Sequence, residues 1–186
     1  MPTRSTPCAW RPAEAAELGT RALLRVGFSA EDAQIITDQL IDNALCGYRF
    51  ASLPRILAIA GDEKMRNARR PIKVGRETPL FALIDGGSNL GFVAVYHATQ
   101  IAIKKAQASC FAPVGVYDGY YSGRNAYFVG MITQAGFVGI RAASAKPRVL
   151  PNGGIKPAFG TNPLCFGFPS AANSKFKRLF LLSSTR

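Results

Sequence analysis

The chain has 186 residues, 48% of them hydrophobic and 18% charged, with a formal net charge of +12. That apolar content is enough for one sizeable core and excludes wholesale disorder. No apolar run is long enough to span a membrane, and the start, Met1 to Ser5, lacks the apolar stretch of a secretory leader, so no membrane partner is expected.

In chain order, Pro12 to Val26 reads as a helix. Proline suits its first turn, Glu14 and Glu17 complement the N-terminal dipole, and Gly27 suits the exit. Ser29 heads a capping-box pattern with Asp32 in the place usually held by Glu or Gln. Ile35, Ile36, Leu40, Ala44 and Leu45 then recur at helical spacing up to Gly47. A third helical stretch covers about Ala51 to Ala60, and the polar, basic segment Glu63 to Arg76 reads as a solvated connection.

The period then changes. Leu80 to Asp85 predicts a strand, closed by Gly86-Gly87-Ser88-Asn89, and Phe92 to Ser109 a long helix. Val114 to Tyr117 predicts a short strand, Asn125 to Ala135 a helix, and Phe137 to Ile140 the start of another strand. Leu164 to Phe168 predicts one more strand. Helices first, then alternating strands and helices, give an α/β or α+β class: a helical N-terminal part followed by a sheet domain flanked by helices. The expected divisions are 1–76, 77–169 and a basic tail, 170–186.

The charge is unevenly placed. All 11 acidic residues lie at or before Asp118, where the chain nets only +3, and from Gly119 onward there are nine Lys or Arg and no acid. One reading is an anion site; the other is that acidic partners lie on a surface this chain lacks. The four cysteines form no Cys-x-x-Cys pair, which argues against a disulfide framework or a metal site and for reduced core thiols in a cytoplasm.

Several motifs bear on chemistry. Gly86-Gly87-Ser88-Asn89-Leu90-Gly91 lies where dinucleotide loops sit, but it is not Gly-x-Gly-x-x-Gly and reads better as a strand-to-helix turn. His97 is the sole histidine and has no Asp, Ser or Cys at i±3 or i±4 to orient it, so it reads as a packing or surface residue. Tyr117 to Arg124 combines aromatic rings, a hydroxyl, a flexible glycine and a cation, a set that suits a ring-shaped anionic ligand. Asn152-Gly153-Gly154 followed by Gly160-Thr161-Asn162-Pro163 forms a stiffened loop able to present backbone N–H groups and short polar side chains.

Taken together, the blocks Gly86–Gly91 leading to Ala106, Ala135–Ile140 and Pro151–Pro169 resemble the malate/L-lactate dehydrogenase family of non-Rossmann NAD(P) oxidoreductases, from about Ala13 to Pro169. That family includes reductases of diketogulonate and of cyclic imines. The resemblance implies a helical N-terminal part, a mixed non-Rossmann sheet and an interlocked homodimer. It implies hydride transfer between NAD or NADP and a 2-keto, 2-hydroxy or cyclic 2-imino acid. Arg55 takes the position of the family's carboxylate-binding arginine. The family's proton-donating histidine has Ala51 in its place, and Tyr121 stands where a second histidine is found. Tyr121, or a bound water, is therefore the expected proton source, and a cyclic imine that arrives protonated needs less from it. Tyr120, Ser122, Gly123, Gly160, Thr161, Asn162 and Pro163 are expected to line the cofactor pocket. After Pro169 the family continues into an apolar strand and an Asp-x-x-x-Ser pattern; here the sequence turns basic, and the C-terminal half of the family fold is expected to be missing. The second reading is an inactive fragment or pseudoenzyme that binds a partner or an anion without turnover. Nucleic-acid binding is not expected, because aromatic and basic residues do not interleave as on a single-strand platform.

Overall fold

The computed structural model describes residues 11–66, 68–169 and 178–182. The chain divides into two compact units, Met1–Asn67 and Ala68–Arg186.

The first unit is helical. Helix α1 is Pro12–Val26, with Pro12 at its first position and Gly27 closing it in the left-handed region. Helix α2 is Ala30–Leu45, capped by the Ser29 hydroxyl, which accepts from the Asp32 N–H at 3.1 Å. A 3-10 turn at Arg49–Ala51 precedes the short helix α3, Arg55–Ala60. The third helix thus starts at Arg55, not Ala51, because the chain first turns through Ser52, Leu53 and Pro54. Leu23, Ile36, Leu40 and Ile59 are fully buried and form the core of this unit. Gly19 permits the close approach of α1 to the following segment, since a Cβ there would meet the Leu53 side chain at 2.7 Å. The buried Asn43 side chain donates to the Ala51 carbonyl at 2.8 Å, fixing the turn between α2 and α3.

Among its described residues the second unit holds two three-stranded sheets. In the first, β1 (Lys73–Glu77), β2 (Ala82–Leu90) and β3 (Val114–Tyr120) lie in that order; β1–β2 is antiparallel and β2–β3 parallel. The parallel pair needs a crossover, and helix α4, Gly91–Ser109, supplies it. In the second sheet, β4 (Gly139–Ala142), β5 (Leu164–Phe168) and β6 (Arg178–Leu182) are antiparallel throughout, and helix α5, Asn125–Gln134, packs on β4 and β5. One parallel pair amid antiparallel ones is a mixed sheet architecture, unlike a doubly wound dinucleotide fold.

Three local differences from the sequence reading stand out. Part of the solvated connection is strand β1, whose five residues are all exposed, so no burial pattern marks it. Strand β2 runs on through Gly86–Asn89 to Leu90, with its pairing to β3 interrupted between Asp85 and Asn89. Residues 178–182 of the basic tail add β6 to the second sheet.

Arg70 locks the first sheet. Its guanidinium meets the Asp85 carboxylate at 2.9 Å and 3.3 Å and Asp118 at 2.8 Å. Asp118 also accepts from Ser88, and the Asn89 amide donates to the Arg70 carbonyl at 2.6 Å. Gly87 lies in the left-handed region, and a Cβ there would collide with the Arg70 carbonyl. The Gly-Gly-Ser-Asn block therefore clasps the polypeptide leading into β1. On the opposite flank Lys105 of α4 pairs with Glu77 of β1 at 2.9 Å and donates to the Thr78 carbonyl at 2.6 Å.

Candidate functional site

The tyrosine-rich turn and the Gly-Thr-Asn-Pro bend are far apart in sequence, yet they meet through two buried or half-buried polar side chains. Arg141 of β4 donates from Nη2 to the Ser122 carbonyl at 3.2 Å and from Nη1 to the Asn125 Oδ1. Asn125, buried at the first position of α5, donates from Nδ2 to the Pro163 carbonyl at 3.2 Å. The Pro163 carbonyl also accepts from the Ala143 N–H at 3.1 Å, and Asn162 Oδ1 from the Ala145 N–H at 3.0 Å. Ser122, Arg141, Asn125 and Pro163 thus form one hydrogen-bonded line, with the exit of β4 laced to the bend.

Backbone geometry at this junction is unusual. Tyr121 has φ 52° and Asn162 φ 36°. Asparagine tolerates the left-handed region; a tyrosine there is strained by roughly 1–3 kcal/mol and needs a surrounding structure that over-determines it. The Tyr120 and Tyr121 rings lie 5.7 Å apart at a tilt of 58°. Gly160 is buried, and a Cβ there would collide with the Ala145 carbonyl, so the bend closes only with glycine. Thr161 and Asn162 are exposed beside it.

Electrostatically the junction is positive. Among the described residues no carboxylate reaches salt-bridge distance of Arg141. Burial lowers its pKa to about 10, so it stays charged at neutral pH. Its guanidinium carbon lies 4.6 Å from the centre of the Phe128 ring, a cation–π contact beneath the charge. Burial pushes the Cys165 thiol upward, opposed by the nearby Arg141 and Arg124. Among the described residues no group of three or more His, Cys, Asp or Glu comes together to hold a metal, and no helix is long and apolar enough to cross a membrane.

The sequence-predicted residues are placed as follows. Arg55 opens α3 in the first unit, half-buried, with its N–H bonded to the Ser52 carbonyl at 2.8 Å. Tyr120, Tyr121, Ser122, Gly123, Gly160, Thr161, Asn162 and Pro163 all belong to the second unit, on the two segments that Arg141 and Asn125 join. His97 sits on α4, edge-on to Tyr96 at 5.7 Å. Sequence reasoning missed Arg141 and Asn125. The available signal was an arginine inside the apolar run Phe137 to Ala143, in a stretch with no acid to pair with it. Of the described cysteines, Cys165 is in the core, whereas Cys46 and Cys110 are on the surface, and none of the three is in a disulfide.

Comparison with known proteins assigns the chain. The sequence profile described as malate/L-lactate dehydrogenase matches residues 10–178. Malate dehydrogenase of Pyrococcus horikoshii is 34% identical over 155 residues, covering 81% of this chain and 42% of its own length. L-sulfolactate dehydrogenase of Methanothermobacter thermautotrophicus is 31% identical over 161 residues, covering 86% of this chain and 47% of its own. The crystal structure of malate dehydrogenase from Entamoeba histolytica superposes with a TM-score of 0.85 at 28% identity, over 94% of this chain and 49% of that one. The chain therefore spans a little under half the length of these relatives, and it belongs to the malate/L-lactate dehydrogenase family.

Proposed function

We propose that this chain forms the N-terminal half of a nicotinamide-dependent oxidoreductase acting on a small 2-keto, 2-hydroxy or cyclic 2-imino acid, in the cytoplasm and as a homodimer. The observation that supports this most is the hydrogen-bonded line from Ser122 through Arg141 and Asn125 to Pro163, which unites both stretches expected to touch the cofactor. The donor set fits such a group. It offers exposed Thr161 and Asn162 beside a close-approach glycine, next to a guanidinium that no described carboxylate pairs, in an acid-free segment. That chemistry suits a ligand bearing phosphates and an amide. NAD or NADP, when bound, supplies the hydride acceptor or donor.

The chain's own residues then divide the work. Tyr120, Ser122, Gly123, Gly160, Thr161, Asn162 and Pro163 shape and bind. Arg55 anchors the substrate carboxylate through its fork of N–H donors. Tyr121, held in a strained turn, gives or takes a proton at its phenolic oxygen.

The test is loss of reduced-nicotinamide absorbance with a panel of 2-keto acids and cyclic imines, run on this chain with and without the C-terminal half of a relative. Turnover with at least one acid supports the reading; none with either preparation removes it. Arg55→Ala should raise KM for the acid by about tenfold or more with a smaller effect on kcat. Tyr121→Phe should lower kcat by about 100-fold, and unchanged turnover takes Tyr121 out of the mechanism.

A further inference from the structure

The second unit contains a groove of about 900 Å³ whose walls are strand edges. One wall is β3, residues 114–119; the other is β4 and its exit, residues 140–144. Each is the terminal strand of its own sheet, so each turns a row of backbone N–H and C=O groups away from its partner. The floor is apolar: Val95, Ala98 and Ala102 of α4 together with Phe128 and Ile132 of α5. The two helices touch one another, so one helical layer underlies both sheets.

Among the described residues, burial shows no cover over this edge. Strand β2, flanked on both sides, is mostly buried, whereas β3 has no residue that is fully buried. Ile140 is 62% exposed and Tyr117 46%. Size identifies what fits. A strand residue occupies about 160 Å³, from a rise of about 3.3 Å, a strand spacing of about 4.8 Å and a layer depth of about 10 Å. The groove volume of about 900 Å³ then corresponds to about six residues, close to the 7 of β3.

We infer that this groove is a strand slot, filled by an extended segment from the C-terminal half of the family chain, which would join the two sheets into one continuous sheet by adding to β3 and β4. The occupant is named by length: this chain accounts for 42% of the P. horikoshii relative, so more than half of that polypeptide must pack against something. The chain's own residues 178–182 do not serve, because they already pair with β5. Backbone hydrogen bonds to both walls supply affinity, and alternate side chains on the helical floor supply specificity. The inference rests on family membership and not on turnover.

The experiment co-expresses this chain with the portion of P. horikoshii malate dehydrogenase that lies beyond the matched segment. The complex and the chain alone are then compared by amide hydrogen exchange. The expected result is co-purification in equal amounts and at least about tenfold slower exchange at residues 114–120 and 139–142, with α1 and α2 unchanged. Three results overturn the inference. One is no co-purification. Another is a complex in which these strands exchange as they do in the chain alone. The third is full protection of both strands in the chain alone through pairing with a second copy. Ile140→Lys places a charge in the slot and should abolish co-purification while leaving the helical circular dichroism intact; a variant that still binds with both strands protected also overturns it. Because the readout is exchange rather than activity, a slot that fills without turnover leaves this inference standing and removes the proposed function.

Discussion

Arg141 carries a full charge into a setting where no described carboxylate meets it. A pKa lowered by burial to about 10 corresponds to a charging penalty of roughly 3 kcal/mol relative to the unfolded chain. Hydrogen bonds to Ser122 and Asn125 and the Phe128 ring offset part of it. Removing one of these partners should therefore be expensive. Asn125→Ala is expected to lower unfolding free energy by about 2–3 kcal/mol, read from urea titration, because it strips an acceptor from a buried cation and a donor from Pro163. Asp85 behaves in the opposite sense. The Gly87 N–H first, and then the Arg70 guanidinium, hold its carboxyl below the ordinary 3.8. A depressed carboxylate pKa stabilises the fold above the ordinary value, and this is lost as pH falls through the folded one. Asp85→Asn should then lower Tm at neutral pH, with the gap to the parent closing as pH is taken below 3.8. Neither role was legible from residue type alone. Asp85 and Arg70 are 15 residues apart, and their pairing depends on the β1–β2 register. The strain at Tyr121 was equally hidden, since tyrosine gives no signal of a positive φ.

Among the elements, those with chemical punctuation were readable. Pro12, Ser29 and Gly27 mark helix ends because proline, a hydroxyl acceptor and a left-handed glycine each solve a specific terminal problem. Ser29→Ala should cost about 1 kcal/mol, measured by thermal or urea unfolding, since the Asp32 N–H loses its acceptor. Strand β1 was not readable: with every residue exposed, it is held by backbone pairing and by the Lys105–Glu77 contact, and neither leaves a periodic trace. The extent of β2 was also misjudged. Two glycines normally signal a turn, but here they allow Asp118 and Arg70 to approach the strand without a side chain between them.

For the whole molecule, the helical first unit and mixed-sheet second unit follow the family's pattern, and the blocks that carried the resemblance were enough to find it. What the sequence did not reveal is how unevenly a chain of this span is covered. Hydrogen exchange on the isolated chain should rank its strands accordingly. The buried amides of β2 are expected to exchange at least about tenfold more slowly than those of β3 and β4, because β2 is flanked on both sides within its sheet whereas β3 and β4 are each paired on one side. Equal protection across all three would contradict this ranking.

Cys165 offers a last consequence. Its sulfur is fully enclosed, and its thiol is held in the unreactive protonated form, while the thiols at Cys46 and Cys110 face solvent. An alkylating reagent such as iodoacetamide will therefore modify the latter two at once and reach Cys165 only when the sheet carrying it opens. With every other cysteine replaced by serine, the rate of that single modification becomes a clock for the opening of the second unit, independent of any optical probe or bound ligand.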